Sequence, residues 1–232
     1  MNREKNIVIN DSLKHLYDEK SYEFIEAWKE CYDIKDNRPL KLSTFGIVDT
    51  DNYECGNGIL FIGKETRGYQ EDFLSWLKTL AVKNKNIDKN NKTTHPQIWY
   101  NIGRWAKFIN NPNADKKALL SEKETAFEGL QKIAFTNINK VYGNSSSKTA
   151  FWKLVVKKNA NNNIVADILN REIGIINPKI IVICGIGLTD TIGIKTNAIL
   201  IEMPHPSSRM KKADMLDLLE KKLREQGYLS NV

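Results

Sequence analysis

The chain has 232 residues, 41% of them hydrophobic and 27% charged, which is typical of one large folded domain. Its 35 Lys and Arg residues exceed its 28 Asp and Glu residues. This balance favours a polyanionic partner such as nucleic acid, although chains that are simply rich in Lys and Asn share it. No apolar run approaches the roughly 20 residues that cross a bilayer, and Ile7-Val8-Ile9 is too short for a signal peptide. We therefore expect a cytoplasmic protein and set membrane and secreted classes aside.

The cysteines and histidines are few and scattered, without CxxC or any other spacing typical of metal ligands. They are Cys31, Cys55, Cys184, His15, His95 and His205. An odd number of separated cysteines argues against a disulfide framework and for a reduced compartment. We expect no metal and no cofactor in the chemistry of this protein.

The predicted elements alternate between helices and short buried strands. Apolar residues recur at helical spacing from Asp11 to Tyr32, with Asp11 or Ser12 as the cap. They predict an N-terminal helical segment within residues 1–35 that packs onto a larger body. Four continuous apolar runs are typical of strands buried on both faces, at 59–62, 133–136, 180–184 and 198–201. Helical patterns lie beside them at 72–82, 96–109, 163–173 and 211–226. This alternation predicts an α/β layered domain with a mostly parallel sheet.

Chemically useful side chains follow three of the predicted strands. Glu65 follows the first strand in Gly63-Lys64-Glu65, Asn137 follows the second, and His205 follows the fourth. Parallel sheets bind ligands beyond the carboxyl ends of their strands, where the connecting loops meet. We therefore expect a carboxylate, an amide and an imidazole on one rim of the sheet.

Two loops resemble phosphate-binding motifs without completing them. Gly185-Ile186-Gly187 follows the third strand, but Asp190 stands where a dinucleotide motif has its third glycine. The 143–149 segment has a leading glycine and a Lys148-Thr149 pair but lacks the glycine before the lysine. The second segment is better explained as a solvated Ser-rich loop that touches phosphate through hydroxyls and Lys148.

The loop after the fourth strand is the strongest functional signal. His205 stands between Pro204 and Pro206. Prolines fix the backbone φ angle and remove backbone donors, so this loop is stiff and aims its histidine reproducibly. A histidine with a purely structural role is the alternative interpretation.

The order of these motifs, from 59 to 210, resembles the uracil-DNA glycosylase superfamily. His205-Pro206-Ser207 matches the His-Pro-Ser loop of that family, and Phe135-Thr136-Asn137 resembles the segment whose asparagine contacts the base edge. Gly63-Lys64-Glu65 loosely matches the first-strand loop that carries the water-activating group. The resemblance implies a three-layer α/β/α sandwich with a central, mostly parallel four-stranded sheet, formed by residues 1–232 as a single domain.

The same resemblance implies a DNA glycosylase that acts as a monomer on double- or single-stranded DNA and leaves an abasic site. Thr66 and Arg67 follow Glu65, where the most familiar first-loop pattern has proline and tyrosine. The substrate therefore stays open between uracil and another modified or aberrant base, in DNA repair or in defence against phage with modified DNA.

The resemblance assigns the catalytic roles to Glu65 and His205. The Glu65 carboxylate would orient water or stabilise the sugar cation, with a carboxylate that merely favours a helix start as the alternative. His205 would donate a hydrogen bond to the departing base. Asn137 would contact the base edge, with capping of the turn after its strand as the alternative.

Further residues are expected around the base and along the DNA. Gly63 and Lys64 would line the base site. Tyr69, Phe73 and Trp76 are the candidates for stacking on the flipped base. Phe73 and Trp76 are one helical turn apart, so we expect at least one of them in the core. The expected DNA contacts are Ser207 and Ser208 to phosphates, Arg209 or Met210 as a wedge, and Lys148.

Two other functions compete with this interpretation. The first is a DNA-binding module that has the same fold but no catalytic activity, and the second is a nucleotide-handling α/β enzyme. The predicted helix at 96–109 carries Trp99, Tyr100, Arg104 and Trp105 without a counterpart in the resemblance. We expect these residues to pack in the core, with a reshaped pocket for a larger base as the alternative.

Overall fold

A computed structural model describes residues 2–32, 40–54, 58–65, 72–83, 96–121, 123–141, 151, 154–155 and 163–229. The strands are β1 (Gly46–Ile47), β2 (Ile59–Glu65), β3 (Ile133–Asn139), β4 (Ile180–Cys184) and β5 (Ile199–Met203). They form one sheet in the order β1-β3-β2-β4-β5. The four longer strands are parallel to one another, and β1 pairs antiparallel with β3.

The helices are α1 (Asn2–Tyr32), α2 (Phe73–Lys83), α3 (Pro96–Asn110), α4 (Lys116–Ser121), α5 (Lys123–Leu130), α6 (Ile164–Ile176), α7 (Thr189–Ile192) and α8 (Lys212–Glu225). The predictions at 72–82, 96–109, 163–173 and 211–226 correspond to α2, α3, α6 and α8. The short helices α4, α5 and α7 were not predicted, because one or two turns contain too little periodicity to be recognised.

The predicted α/β/α class is confirmed, but the predicted strand count is wrong. The sheet has five strands rather than four. The strand that was missed is β1, which contains only Gly46 and Ile47. Two residues cannot show the alternation or the apolar run from which a strand is recognised. The antiparallel edge that β1 adds lies beside β3 and leaves the parallel order of the other four strands intact.

The start of α1 also differs from the prediction. The helix begins at Asn2 rather than near Asp11, and the Ser12 hydroxyl donates to Val8 O within it. Asn6 Nδ2 donates to Thr50 O and Tyr53 O at 2.9 Å each. The polar first turns are therefore held by a segment more than 40 residues away in the chain, and helical periodicity contains no sign of such a contact.

Helices cover both faces of the sheet. On one face the Phe135 ring lies 5.6 Å from Phe73 and 5.1 Å from Trp99, centroid to centroid, so α2 and α3 pack there. On the opposite face the Thr136 hydroxyl donates to Glu172 of α6, and α1 packs against α6. We call these the aromatic face and the α6 face. None of the helices in the described ranges combines the length and the apolar character needed to cross a bilayer.

The expectation that α3 carries core residues is confirmed for its tryptophans. Trp99 and Trp105 are buried in the main hydrophobic core, whereas Tyr100 is half-buried and packs on Phe127 of α5. Arg104 is also buried, which is unusual for an arginine. Its hydrogen bonds lead through Asn101 to the loop that carries His205.

Candidate functional site at the carboxyl edge of the sheet

The strand register brings the first and last predicted site segments to one edge of the sheet. Ile62 is level with Ile183, which is level with Glu202. Glu65 and His205 each follow three residues later, from 62 to 65 and from 202 to 205. Only β4 separates β2 from β5, and two strand spacings amount to about 10 Å. The backbone positions of Glu65 and His205 therefore share the carboxyl edge.

Gly63 and Asn137 are paired neighbours on β2 and β3. A Cβ atom on Gly63 would lie only 2.1 Å from Asn137 Oδ1 and 2.9 Å from the Phe135 ring. The absence of a side chain at Gly63 is therefore what allows the Asn137 amide to lie against the strand.

The Asn137 side chain is nearly buried and forms no hydrogen bond with another described residue. The residue is 3% exposed, and neither of its amide atoms is among the completely enclosed atoms that lack a partner. The turn after β3 is instead capped by Asn139, whose Oδ1 accepts from Val141 N at 3.1 Å. The turn-capping alternative thus applies to Asn139 rather than Asn137. A buried amide with unused donor and acceptor capacity is suited to bind a ligand edge.

His205 is an exposed residue whose ring is held by its own loop. Its Nδ1 lies 2.7 Å from Ser207 Oγ and accepts from the Ser207 backbone N–H at 3.2 Å. A backbone N–H is always a donor, so this geometry favours Nδ1 as acceptor, and the neutral ring would then have its proton on Nε2. The ring is not a core histidine, and this tautomer offers Nε2–H as a hydrogen-bond donor.

Ser207 was predicted to contact a DNA phosphate, and in the structure it contacts the His205 ring. Its hydroxyl and its backbone N–H both contact His205 Nδ1. A phosphate contact by the same hydroxyl stays a prediction. Ser208 N donates to His205 O at 2.7 Å and closes the turn, while the Ser208 hydroxyl is buried without a hydrogen-bond partner among the described residues.

The loop of His205 is fastened to α3 by a residue that the sequence interpretation missed. Asn101 Nδ2 donates to Pro206 O at 2.7 Å. Asn101 Oδ1 accepts from Gln97 Nε2 at 3.1 Å and from Arg104 Nη1 at 3.4 Å. The signal that the sequence offered was the helical spacing of Gln97, Asn101 and Arg104, which places three polar side chains on one side of α3.

Arg104 is the charged member of this group. Asn101 and Arg104 are each 3% exposed. Arg104 Nε donates to Leu119 O at 2.9 Å and Nη2 donates to Leu120 O at 3.4 Å, near the end of α4. Burial lowers the pKa of Arg104 from its usual value, although a guanidinium stays charged. The carbonyls at a helix end carry partial negative charge, which favours a cation there.

The predicted aromatic residues form a cluster on the face that carries Asn137. The Phe73 ring is central, with centroids 5.4 Å from Phe45, 5.5 Å from Trp76 and 5.7 Å from Trp99. Phe73 and Trp76 are both half-buried. The structure thus brings Phe73 to the same side of the sheet as Asn137, and its stacking on a base stays a prediction.

Lys64 is not brought together with Asn137. Its Nζ lies 4.3 Å from the centroid of the Phe151 ring. Side chains alternate along a strand, so Lys64 belongs to the α6 face whereas Gly63 belongs to the aromatic face. The Lys64 side chain therefore lies on the opposite face of the sheet from Asn137, and a contact of Lys64 with a base stays a prediction.

The glycine loop after β4 is filled by a side chain of the protein itself. The Glu202 carboxylate accepts from Gly187 N at 2.8 Å and from Thr189 N and Thr189 Oγ1 at 2.7 Å each. Partial burial opposes ionisation of Glu202, but the hydrogen bonds from Thr189 and Gly187 outweigh it and lower the pKa. Backbone donors that would bind a phosphate here are already occupied by a carboxylate.

The remaining predicted residues divide into exposed ones and ones outside the described ranges. Arg209 is exposed, and Met210 is 41% exposed, which is unusual for a large apolar side chain. Tyr69 and Lys148 lie outside the described residues, and only the strand position of Glu65 is described. Among the side chains that are described, no group of three or more His, Cys, Asp or Glu could hold a metal ion.

In comparisons with known proteins, the chain matches no protein-family profile and no curated protein sequence.

Proposed function

We propose that the protein is a DNA glycosylase that hydrolyses the N-glycosidic bond of an extruded uracil or other modified base and leaves an abasic site. One observation carries the proposal. His205, whose Nδ1 faces a backbone donor, and the Asn137 amide, which has no hydrogen-bond partner among the described residues, belong to the same carboxyl edge. A directed donor and a two-sided amide are the groups that a departing nucleobase requires.

The reaction distributes charge between these groups. As the bond between C1′ of deoxyribose and the base nitrogen breaks, its electron pair moves to the base and positive charge develops on the sugar. His205 Nε2–H donates a hydrogen bond to the base oxygen where negative charge appears. Water adds its hydroxyl to C1′, and its proton passes through Glu65 or solvent to the departing base. Glu65 thus acts as the base that orients water.

The proposed substrate is DNA, and several features support this. The net charge of +7 attracts a polyanion. Extruding a base costs a few kcal/mol, which contacts with the remaining duplex must offset. Arg209 and Met210 are exposed in the loop of His205, where either can fill the gap that the base leaves. We further propose that the protein acts as a monomer in the cytoplasm, either in DNA repair or in defence against phage with modified DNA.

Base release from oligonucleotides tests the proposal. Each oligonucleotide contains uracil or another modified base, and abasic sites are detected by alkaline cleavage while the released base is identified by mass spectrometry. The wild-type chain should release at least one base, and Glu65→Gln and His205→Ala should abolish most of the release. Both variants should bind DNA as the wild type does, with an affinity that falls steeply as salt rises.

The competing functions give different results in the same experiment. Salt-sensitive DNA binding without release of any base from a panel of cellular and phage DNAs identifies the inactive binding module. Binding of free nucleotides with little affinity for DNA identifies the nucleotide-handling enzyme. The occupied glycine loop after β4 argues against this last function, because Glu202 takes the donors that a nucleotide phosphate would use.

A further inference from the structure

Two buried polar residues on α3 have no role in the proposed chemistry. Asn101 and Arg104 are each 3% exposed, and they lie on a helix whose neighbouring residues Ile102, Trp105 and Ala106 are buried and apolar. Burying an amide and a guanidinium costs free energy unless their hydrogen bonds are made. Arg104 has no carboxylate partner within the described residues. Its retained charge is therefore directed at neutral oxygens.

The hydrogen bonds of these residues form a continuous chain to His205. Arg104 Nη1 donates to Asn101 Oδ1 at 3.4 Å, and Asn101 Nδ2 donates to Pro206 O at 2.7 Å. Pro206 C=O and Ser207 N–H belong to one peptide group, and this N–H donates to His205 Nδ1 at 3.2 Å. A donor on the carbonyl of a peptide group polarises it and strengthens its N–H as a donor.

We propose that Asn101, supported by Arg104, is a positioning residue that holds the His205 ring with Nδ1 as acceptor and Nε2–H as donor. The two ends of the Asn101 amide act in series: its oxygen accepts from a buried cation, and its nitrogen fixes the peptide that faces the ring. Without this contact the 206–207 peptide is free to turn, and Nδ1 loses its backbone donor. The catalytic part of this inference rests on the proposed function, whereas the effect on the ring does not.

Asn101→Asp is the sharpest variant, because it has nearly the same shape. It keeps an acceptor for Arg104 but replaces the donor to Pro206 O with an oxygen. Asn101→Ala is a second variant that buries no new charge. Gln131→Leu is the matched control, since Gln131 Nε2 makes a comparable bond to Ala81 O at 2.9 Å, remote from the loop.

Nitrogen-15 NMR of the histidine rings reads the tautomer directly. In the wild type, Nδ1 of His205 should show the shift of an unprotonated nitrogen and Nε2 that of a protonated one. In Asn101→Asp and Asn101→Ala the two shifts should move toward each other, and the Ser207 amide should lose protection from hydrogen exchange. With a base that the wild type releases, kcat should fall about tenfold, as for one lost hydrogen bond, with little change in KM. Gln131→Leu should leave all of these quantities unchanged.

Two results separate the possible failures. If both Asn101 variants retain the wild-type nitrogen shifts of His205, even with a lower Tm, Asn101 only fastens the loop and the inference is overturned. If the shifts respond but no variant and no wild-type chain releases a base, the positioning role is supported and the proposed glycosylase activity is overturned. If one of the two variants, Asn101→Asp or Asn101→Ala, does not fold, the nitrogen shifts of the other variant decide the test.

Discussion

Two polar clusters lie at the carboxyl edge of the sheet, one on each face, and they differ in how completely their hydrogen bonds are satisfied. On the α6 face, Lys140 and Glu172 are both 0% exposed and form an ion pair at 2.7 Å. On the aromatic face, Asn137 is nearly as buried, yet its amide has no partner among the described residues. We call Lys140 and Glu172 the closed cluster, because they satisfy one another within the protein. We call Asn137 the open cluster, because its amide keeps the hydrogen-bonding capacity that the proposed ligand would use.

The closed cluster contains titratable groups whose pKa values are shifted by burial. The Glu172 carboxylate also accepts from the hydroxyls of Tyr17, at 2.5 Å, and Thr136, at 3.1 Å. Burial lowers the pKa of Lys140, while burial and the charge of Glu172 raise the pKa of Tyr17. Lys140 Nζ also donates to Asn137 O at 2.8 Å, so the closed cluster supports the backbone from which the open amide projects.

The comparison shows that a perturbed pKa by itself is a poor guide to function. Structural ion pairs perturb pKa values as strongly as catalytic sites do. The unused hydrogen-bonding capacity of Asn137, together with the directed ring of His205, distinguishes the candidate site from the closed cluster. Variants in the two clusters should therefore separate stability from activity.

The largest expected effect is in the closed cluster. Lys140→Met leaves the Glu172 carboxylate buried without its cation, and the free energy of unfolding should fall by about 3–5 kcal/mol. Urea unfolding followed by circular dichroism measures this change. Lys107→Met, at the surface pair with Glu128, is the matched control and should cost less than about 1 kcal/mol.

A double variant checks the physical reason. Lys140→Met combined with Glu172→Met removes both charges, and most of the lost stability should return. Equal stability of the wild type and Lys140→Met would contradict the description of this pair as a closed structural cluster.

A substitution at Asn137, in the open cluster, should reduce activity strongly and stability only slightly. Asn137→Leu removes an amide without an internal partner, so the free energy of unfolding should change by less than about 1 kcal/mol, whereas kcat/KM for base release should fall about 100-fold. Asn139→Leu is the control, because it removes the acceptor of Val141 N. It should lose about 1–2 kcal/mol of stability. A large loss of stability in Asn137→Leu would show that the amide belongs to the closed type.

Gly63→Ala tests the contact that the open amide makes with β2. The added methyl group would lie 2.1 Å from Asn137 Oδ1, so the amide must shift, at a cost of about 1–3 kcal/mol in unfolding free energy. Base release should fall as well. Gly174→Ala, on α6, meets no atom within 4 Å and should stabilise the helix by about 0.5–1 kcal/mol. Thermal unfolding of both variants makes the comparison.

The smallest expected effect concerns Glu202, a carboxylate that is closed by backbone donors. Its pKa is lowered from the usual 4.5 by its hydrogen bonds, against partial burial. The stability that it contributes is therefore present above pH 4.5 and is lost as the pH falls through the lowered pKa. Glu202→Gln should be less stable than the wild type by about 1 kcal/mol or less near neutral pH. Unfolding from pH 7 to pH 3 should show this difference shrinking in acid.

The elements that were predicted well are those whose signal is local. The apolar runs that begin at Ile59, Ile133 and Ile180 are strands that start at the same residues, because strands buried on both faces must be apolar throughout. His205 was recognised as a candidate site residue because the prolines on either side of it in the sequence stiffen its loop. The short strand at Gly46–Ile47 and the first turns of α1 were missed, because partners distant in the chain hold them.

The amino-acid sequence by itself determined the α/β class, the mostly parallel sheet and the position of His205 after the last strand. It placed Glu65 and Asn137 beyond their strands, whereas both lie within them, because β2 and β3 continue past their apolar runs. Only the tertiary structure decided which buried polar groups are satisfied. Asn101 reaches Pro206 across 105 positions of the chain, and Lys140 reaches Glu172 across 32. A hydrogen bond depends on distances of a few ångströms and on donor direction. Such geometry between distant residues arises only when the helices and the sheet have packed.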